Sequence, residues 1–145
     1  MVTESSLKAL ACRELVSNKR RCVAIHEAAE EEFDGLEERK KARLLRIMEL
    51  WCDAQRLSEE QFNGNEGREE KHGATVLLQA FKTHKNRLYG IDTQIATRRT
   101  FVIVEVDPAK KQNRADPKIL RRAKTRAIDL ALEIKRQEQT TGKKR

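Results

Sequence analysis

Aromatic side chains are scarce in this chain: one Trp, one Tyr and four Phe make up 4% of it. So few rings argue against a large apolar binding cavity. The cysteines are three, Cys12, Cys22 and Cys52, an odd number with no CxxC pair and no histidine at zinc-ligand spacing. That pattern excludes a disulfide framework and points to reduced structural thiols in a cytosol. His26, His72 and His84 fall in no metal-ligand spacing, so each reads as an ordinary surface or structural histidine and no metal is expected. The six glycines never approach GxGxxG or GxxxxGK[ST], which removes the phosphate-cradling loops, and no serine or cysteine sits in a nucleophile motif. No cofactor is implied. The start, MVTESSLKAL, lacks the charged head and apolar stretch of a signal peptide. The longest strongly apolar run is only about Phe101 to Val104, so no membrane span is expected and a cytoplasmic location is.

What the chain has in quantity is charge. Of 145 residues, 37% are Asp, Glu, Lys or Arg, and the formal net charge is +8. Residues 1 to 81 hold 13 Lys/Arg and 16 Asp/Glu, residues 82 to 126 hold 13 and 4, and residues 127 to 145 hold 5 and 3. The middle segment, at +9, carries more than the whole excess. A field of that kind attracts a polyanion, with RNA the leading candidate, and makes binding depend on salt. The plainer alternative is a basic surface that serves solubility alone.

The length suits one domain with tails, and the pattern predicts its elements. Ser5 or Ser6 caps a helix with Leu7, Leu10, Ala11 and Leu15 on one stripe, so residues 1–19 read as a helical extension. Cys22 to Ile25 reads as the first strand. From Ala28 to Leu57 apolar residues recur at intervals of three and four, broken by Asp34-Gly35, which predicts two helices in a hairpin whose acidic and basic residues pair along exposed faces. Ser58 to Gly73 is polar and glycine-rich and reads as a flexible surface loop. Three strands follow at Ala74 to Phe81, Arg87 to Thr93 and Thr100 to Val106; the last is apolar on both alternating faces and belongs in the middle of a sheet. A loop bounded by Pro108 and Pro117 leads to Asp116 as N-cap of a helix reaching about Lys135. The domain thus spans 20–135, and 136–145 reads as a disordered basic tail. The fold class is α+β.

Two basic groups stand out. Lys82, His84, Lys85, Arg87 and Tyr89 cross from a turn into a strand, where residues two apart share a face. Cations and a ring so placed suit a phosphate-and-base platform, or else they protect an exposed strand edge. Lys110, Lys111 and Arg114 lie in the proline-bounded loop, either as an anion site or as a solvated charge run.

These elements in order, with the RLYGI strand and the F-V-x-V…KKQ…A…R segment, resemble the RelE/ParE toxin superfamily, particularly its phage-derived, HigB-like branch, over residues 20 to 132. The resemblance implies a small, twisted, mainly antiparallel sheet with the helix hairpin on one face, a C-terminal helix, and an RNA-binding concavity on the other face. It further implies an endoribonuclease that cleaves mRNA on the ribosome, a ribose 2′-hydroxyl attacking its own 3′-phosphate among Lys and Arg side chains. Clustered cations lower the pKa of their own lysines and stabilise charge developing on phosphorus, which fits such chemistry. Carried over, Arg87 matches the arginine that holds the scissile phosphate, Lys82 and Lys85 the basic positions before it, and Lys110 and Lys111 the KK segment. The catalytic set is then Arg87, Lys110, Lys111 and Lys85, and the RNA-binding set Lys82, His84, Tyr89, Arg98, Arg99 and Arg114. An antitoxin protein covering the basic face is the implied partner. The chain departs from the family in its N-terminal segment, its long polar loop and the lack of a tyrosine near the C-terminus. A ParE-like inhibitor of a protein target, or a phage-derived nucleic-acid-binding accessory protein, are the alternatives.

Overall fold

The computed structural model describes residues 4–108 and 116–143. The architecture is α+β: a six-stranded, mainly antiparallel sheet lies between two layers of helices. In chain order the elements are α1 (Glu4–Ala9), β1 (Cys12–Ser17), β2 (Arg21–His26), α2 (Glu27–Asp34), α3 (Glu38–Cys52), β3 (Phe62–Asn63), β4 (Arg68–Lys71), β5 (Ala74–Leu77), β6 (Gln79–Lys82), β7 (Arg87–Ile95), β8 (Arg98–Asp107) and α4 (Pro117–Lys143). The sheet order is β1-β2-β8-β7-β6-β3, with only the β2/β8 pair parallel.

β8 is central, as its two apolar faces predict. Phe101 and Ile103 enter the core beneath α2 and α3, whereas Val102 and Val104 enter the core beneath α1 and α4. On the first side Trp51, Phe62, Phe81 and Phe101 form a cluster of edge-to-face contacts with centroids 4.6–6.3 Å apart. A one-residue bulge interrupts β8: Tyr89 pairs with Glu105 while Gly90 pairs with Ile103. Val104 is the extra residue, and it turns Glu105 to the α4 side, where simple alternation would aim it at α2 and α3. Gly90 is required there because a Cβ would lie 2.2 Å from the Val102 carbonyl oxygen.

Several expectations are corrected. The predicted N-terminal helix stops at Ala9; Ala11 takes a left-handed conformation (φ 58°) and residues 12–17 pair with β2 as an edge strand. Main-chain pairing with a neighbouring strand outweighs a short helical period. Residues 58–73 are not simply loop, because β3 joins the sheet and β4 pairs with β5 around a tight turn at His72-Gly73 (φ 49° and 79°). The strand expected at 74–81 is split, since Leu78 is fully buried and bonds to the backbone of Glu66 and Gly67. The tail is helical through Lys143, with Gln137 Nε2 donating to the Ala9 carbonyl. The Asp116 cap is present, its Oδ1 accepting from Lys118 N at 2.9 Å.

The helix hairpin does not form as a packed unit. α2 lies on β8 and β2, and α3 on β1, β2 and β6, with Gly35 between them. Nor do the acidic side chains of α2 pair with the basic run of α3; Glu30 pairs with Arg13 of β1, Lys41 and Arg46 of α3 pair with Glu38 and Glu49 of their own helix, and Lys41 reaches α2 only at the Asp34 carbonyl. The opposite sheet face is not an open concavity, for α4 and α1 cover it.

Candidate nucleic-acid interface

α3 buries Leu44, Ile47, Met48 and Trp51 and leaves Arg39, Arg43 and Arg46 exposed at intervals of four and three, a cationic row along its free flank. At 1.5 Å per residue the row is about 10 Å long. Beside it lies the turn between β6 and β7. Thr83 N donates to the Asn86 carbonyl at 3.0 Å, and the wholly buried Asn86 donates through Nδ2 to the Pro108 carbonyl at 2.6 Å. That anchoring fixes His84 and Lys85 at an exposed tip, with Lys82 just before them.

Between the two elements runs a groove made of two hollows of about 1030 and 460 Å³, which share Arg43, Thr83 and His84. Its lining includes six Lys/Arg (Arg39, Lys40, Arg43, Arg46, Lys82, Lys85) against Glu37, Glu59 and Glu60. None of Arg39, Lys40, Arg43, Lys82 and Lys85 enters an ion pair among the described residues, and the partner of Arg46, Glu49, is itself exposed.

Of the residues singled out from sequence, Lys82, His84 and Lys85 therefore come together. Arg87 and Tyr89 do not join them. Both turn to the α4 side, where Arg87 Nη1 donates to Glu66 Oε1 and Oε2 at 2.9 Å each and only 8% of its side chain is exposed. Glu66 comes from the segment read as a surface loop. Asn63 and Asn65 bend that segment by accepting from Asn65 N and Gly67 N, and Asn63 also donates to Glu66. Tyr89 is fully buried, and burial together with the nearby Glu66 carboxylate raises its pKa, against the pull of Arg87. It offers no stacking surface. The same layer holds Glu105, which accepts from Arg122 Nε at 2.6 Å and Arg126 Nη1 at 2.5 Å.

Arg98 and Arg99 sit at the far end of β7/β8, about 25 Å along the strand from Arg87. Arg98 is buried. Arg99 pairs with Asp92 and lies 5.4 Å from the Trp51 ring centroid, and its register neighbour Arg21 lies 5.0 Å from the same ring. Lys110, Lys111 and Arg114 lie outside the described residues.

Sequence reasoning missed Arg39, Lys40, Arg43 and Arg46, although the three-and-four spacing of Arg39, Arg43 and Arg46 away from the apolar stripe was the available signal. Among the described residues no group of three or more His, Cys, Asp or Glu is placed to hold a metal, and no helix is long and apolar enough to cross a membrane. In comparisons with known proteins, no family model, no curated protein and no solved structure matches the chain.

Proposed function

We propose that this protein binds RNA in the groove between α3 and the β6–β7 turn, holding the phosphate backbone with cations from both walls. The observation that carries this reading is the convergence of Arg43 and Arg46 with Lys82, His84 and Lys85 along the two adjoining hollows of one groove. Lysine and arginine without carboxylate partners release counterions when they meet phosphates, which is the main source of affinity for a nucleic-acid backbone. Arg39 and Lys40 also stand in the first turn of α3, where cations oppose the helix dipole at a cost of roughly 0.3–1 kcal/mol each. A bound phosphate turns that cost into a gain.

The proposal takes the architecture as RelE/ParE-like, on the order of a strand, two helices, an antiparallel meander and a final helix, with α2 and α3 standing for the helix hairpin. Cleavage of mRNA on the ribosome is a second reading, favoured by Lys82, His84 and Lys85 meeting where a phosphate would lie, since such groups serve as acids and bases. Arg87 takes no part in it while it is paired to Glu66. An antitoxin with an acidic segment would cover the same groove.

Fluorescence anisotropy with a labelled RNA over a range of salt tests the binding. The logarithm of affinity should fall linearly with that of salt, and Arg43→Ala/Arg46→Ala and Lys82→Ala/Lys85→Ala should each flatten the slope by roughly 1.4 to 1.8. Arg121→Ala/Lys135→Ala, on exposed positions of α4, should leave it unchanged. Equal slopes in all variants would sink the reading. Expression in a bacterial host separates the second reading: arrest with cut messages supports a nuclease, and arrest with intact messages and damaged DNA supports an inhibitor of a protein target.

A further inference from the structure

We infer that the RNA this groove takes is helical, a duplex or a stem, gripped by its backbone without regard to base sequence; the inference rests on the RNA-binding reading above. Proteins that read single-stranded RNA splay its bases and stack them on exposed rings, one for each of several bases. Among the described residues the Trp, Tyr and Phe rings form no such platform. The chain's six Trp, Tyr and Phe residues are all described, and all are used inside. Phe33, Trp51, Phe81, Tyr89 and Phe101 are between 0 and 6% exposed. The half-buried Phe62 lies 5.3 Å from the Phe81 ring and 6.1 Å from Phe101. The groove itself offers one ring, the imidazole of His84.

What the groove does offer suits a fixed array of phosphates. Its cations stand on a helix and on a turn anchored by buried Asn86, so the backbone positions that carry them are set before binding and little loop order is lost. The Arg39 to Arg46 row, about 10 Å long, has the reach to meet a few successive phosphates along one strand of a duplex. A flexible single strand would lose conformational freedom to line its phosphates along that row, whereas a helix already holds them in order. Glu59 and Glu60 line only the larger hollow and repel a backbone there, which limits the contact to a short track.

Anisotropy titrations at one salt concentration test this with an RNA duplex of about 16 base pairs, a second duplex of unrelated sequence, and each separated, unstructured strand. Both duplexes should bind alike and roughly tenfold or more tighter than any single strand, and Arg43→Ala/Arg46→Ala should weaken both equally. Single strands bound as tightly as duplexes, or a marked preference between the duplexes, would overturn the inference while leaving the groove as an RNA site. Failure of every RNA to bind would remove both.

Discussion

The pair most open to quantitative test is Arg87–Glu66. Both side chains are nearly excluded from water, at 8% and 3% exposure, and the two contacts are 2.9 Å each. Removing one partner leaves the other's charge buried, and such changes cost about 3–5 kcal/mol. Against a total stability of about 5–15 kcal/mol, that is a large share, and melting should fall by about 10 °C or more. Urea titrations followed by circular dichroism should therefore show Arg87→Ala and Glu66→Ala strongly destabilised. Glu66→Leu/Arg87→Met removes both charges at similar volume and should return to within about 1 kcal/mol of the parent. Single variants costing less than about 1 kcal/mol would refute the reasoning, since that is the range of a solvated surface pair. The result bears on function too. A loss of activity in Arg87→Ala alone reports unfolding, and only the double variant asks whether the arginine has a chemical task.

Two further predictions concern pH and thiols. His26 Nδ1 accepts from Ala28 N at the start of α2, and burial lowers its pKa below 6.5. The neutral ring is thus the folded form: its contribution is present above about pH 6.5 and is lost as pH falls through the lower folded value. His26→Asn, which keeps a capping acceptor, should flatten that acid limb in chemical denaturation, and an unchanged limb would count against it. The three cysteines are buried, and burial pushes Cys12 and Cys22 up to about 12 and Cys52 to about 11. A thiol probe at neutral pH should label none of them until urea unfolds the chain, and rapid native labelling of any one would contradict its placement.

The sequence made β2, β7, β8 and α4 legible because each is recorded locally, in apolar runs, in alternation or in the Asp116-Pro117 start. β1 was hidden although it forms a local hairpin with β2, because the helical spacing of Leu7 and Leu10 carries on to Leu15 and masks the strand. In the site, Lys82, His84 and Lys85 were found, but counting Lys85, Arg87 and Tyr89 by twos assumed that the strand had already begun. The turn runs through Asn86, so Lys85 stays at the tip while Arg87 opens β7 and faces α4. Glu66 could not be read as Arg87's partner, because two asparagine turns and Gly67 at φ 113° bend its segment inward. Nor does any local pattern mark Val104 as the residue that sends Glu105 to Arg122 and Arg126.

The parallel register that sets Arg21 beside Arg99 has a bearing on how this protein is made. While the chain is being synthesised, β2, α2 and α3 leave the ribosome long before β8, which alone supplies Phe101, Ile103, Val102 and Val104 to the two interiors. Until β8 arrives the early segments have no wall to close against, so the decisive contacts bridge distant parts of the chain and form late. For the same reason, a cut between α3 and β6 would leave neither fragment with an interior of its own.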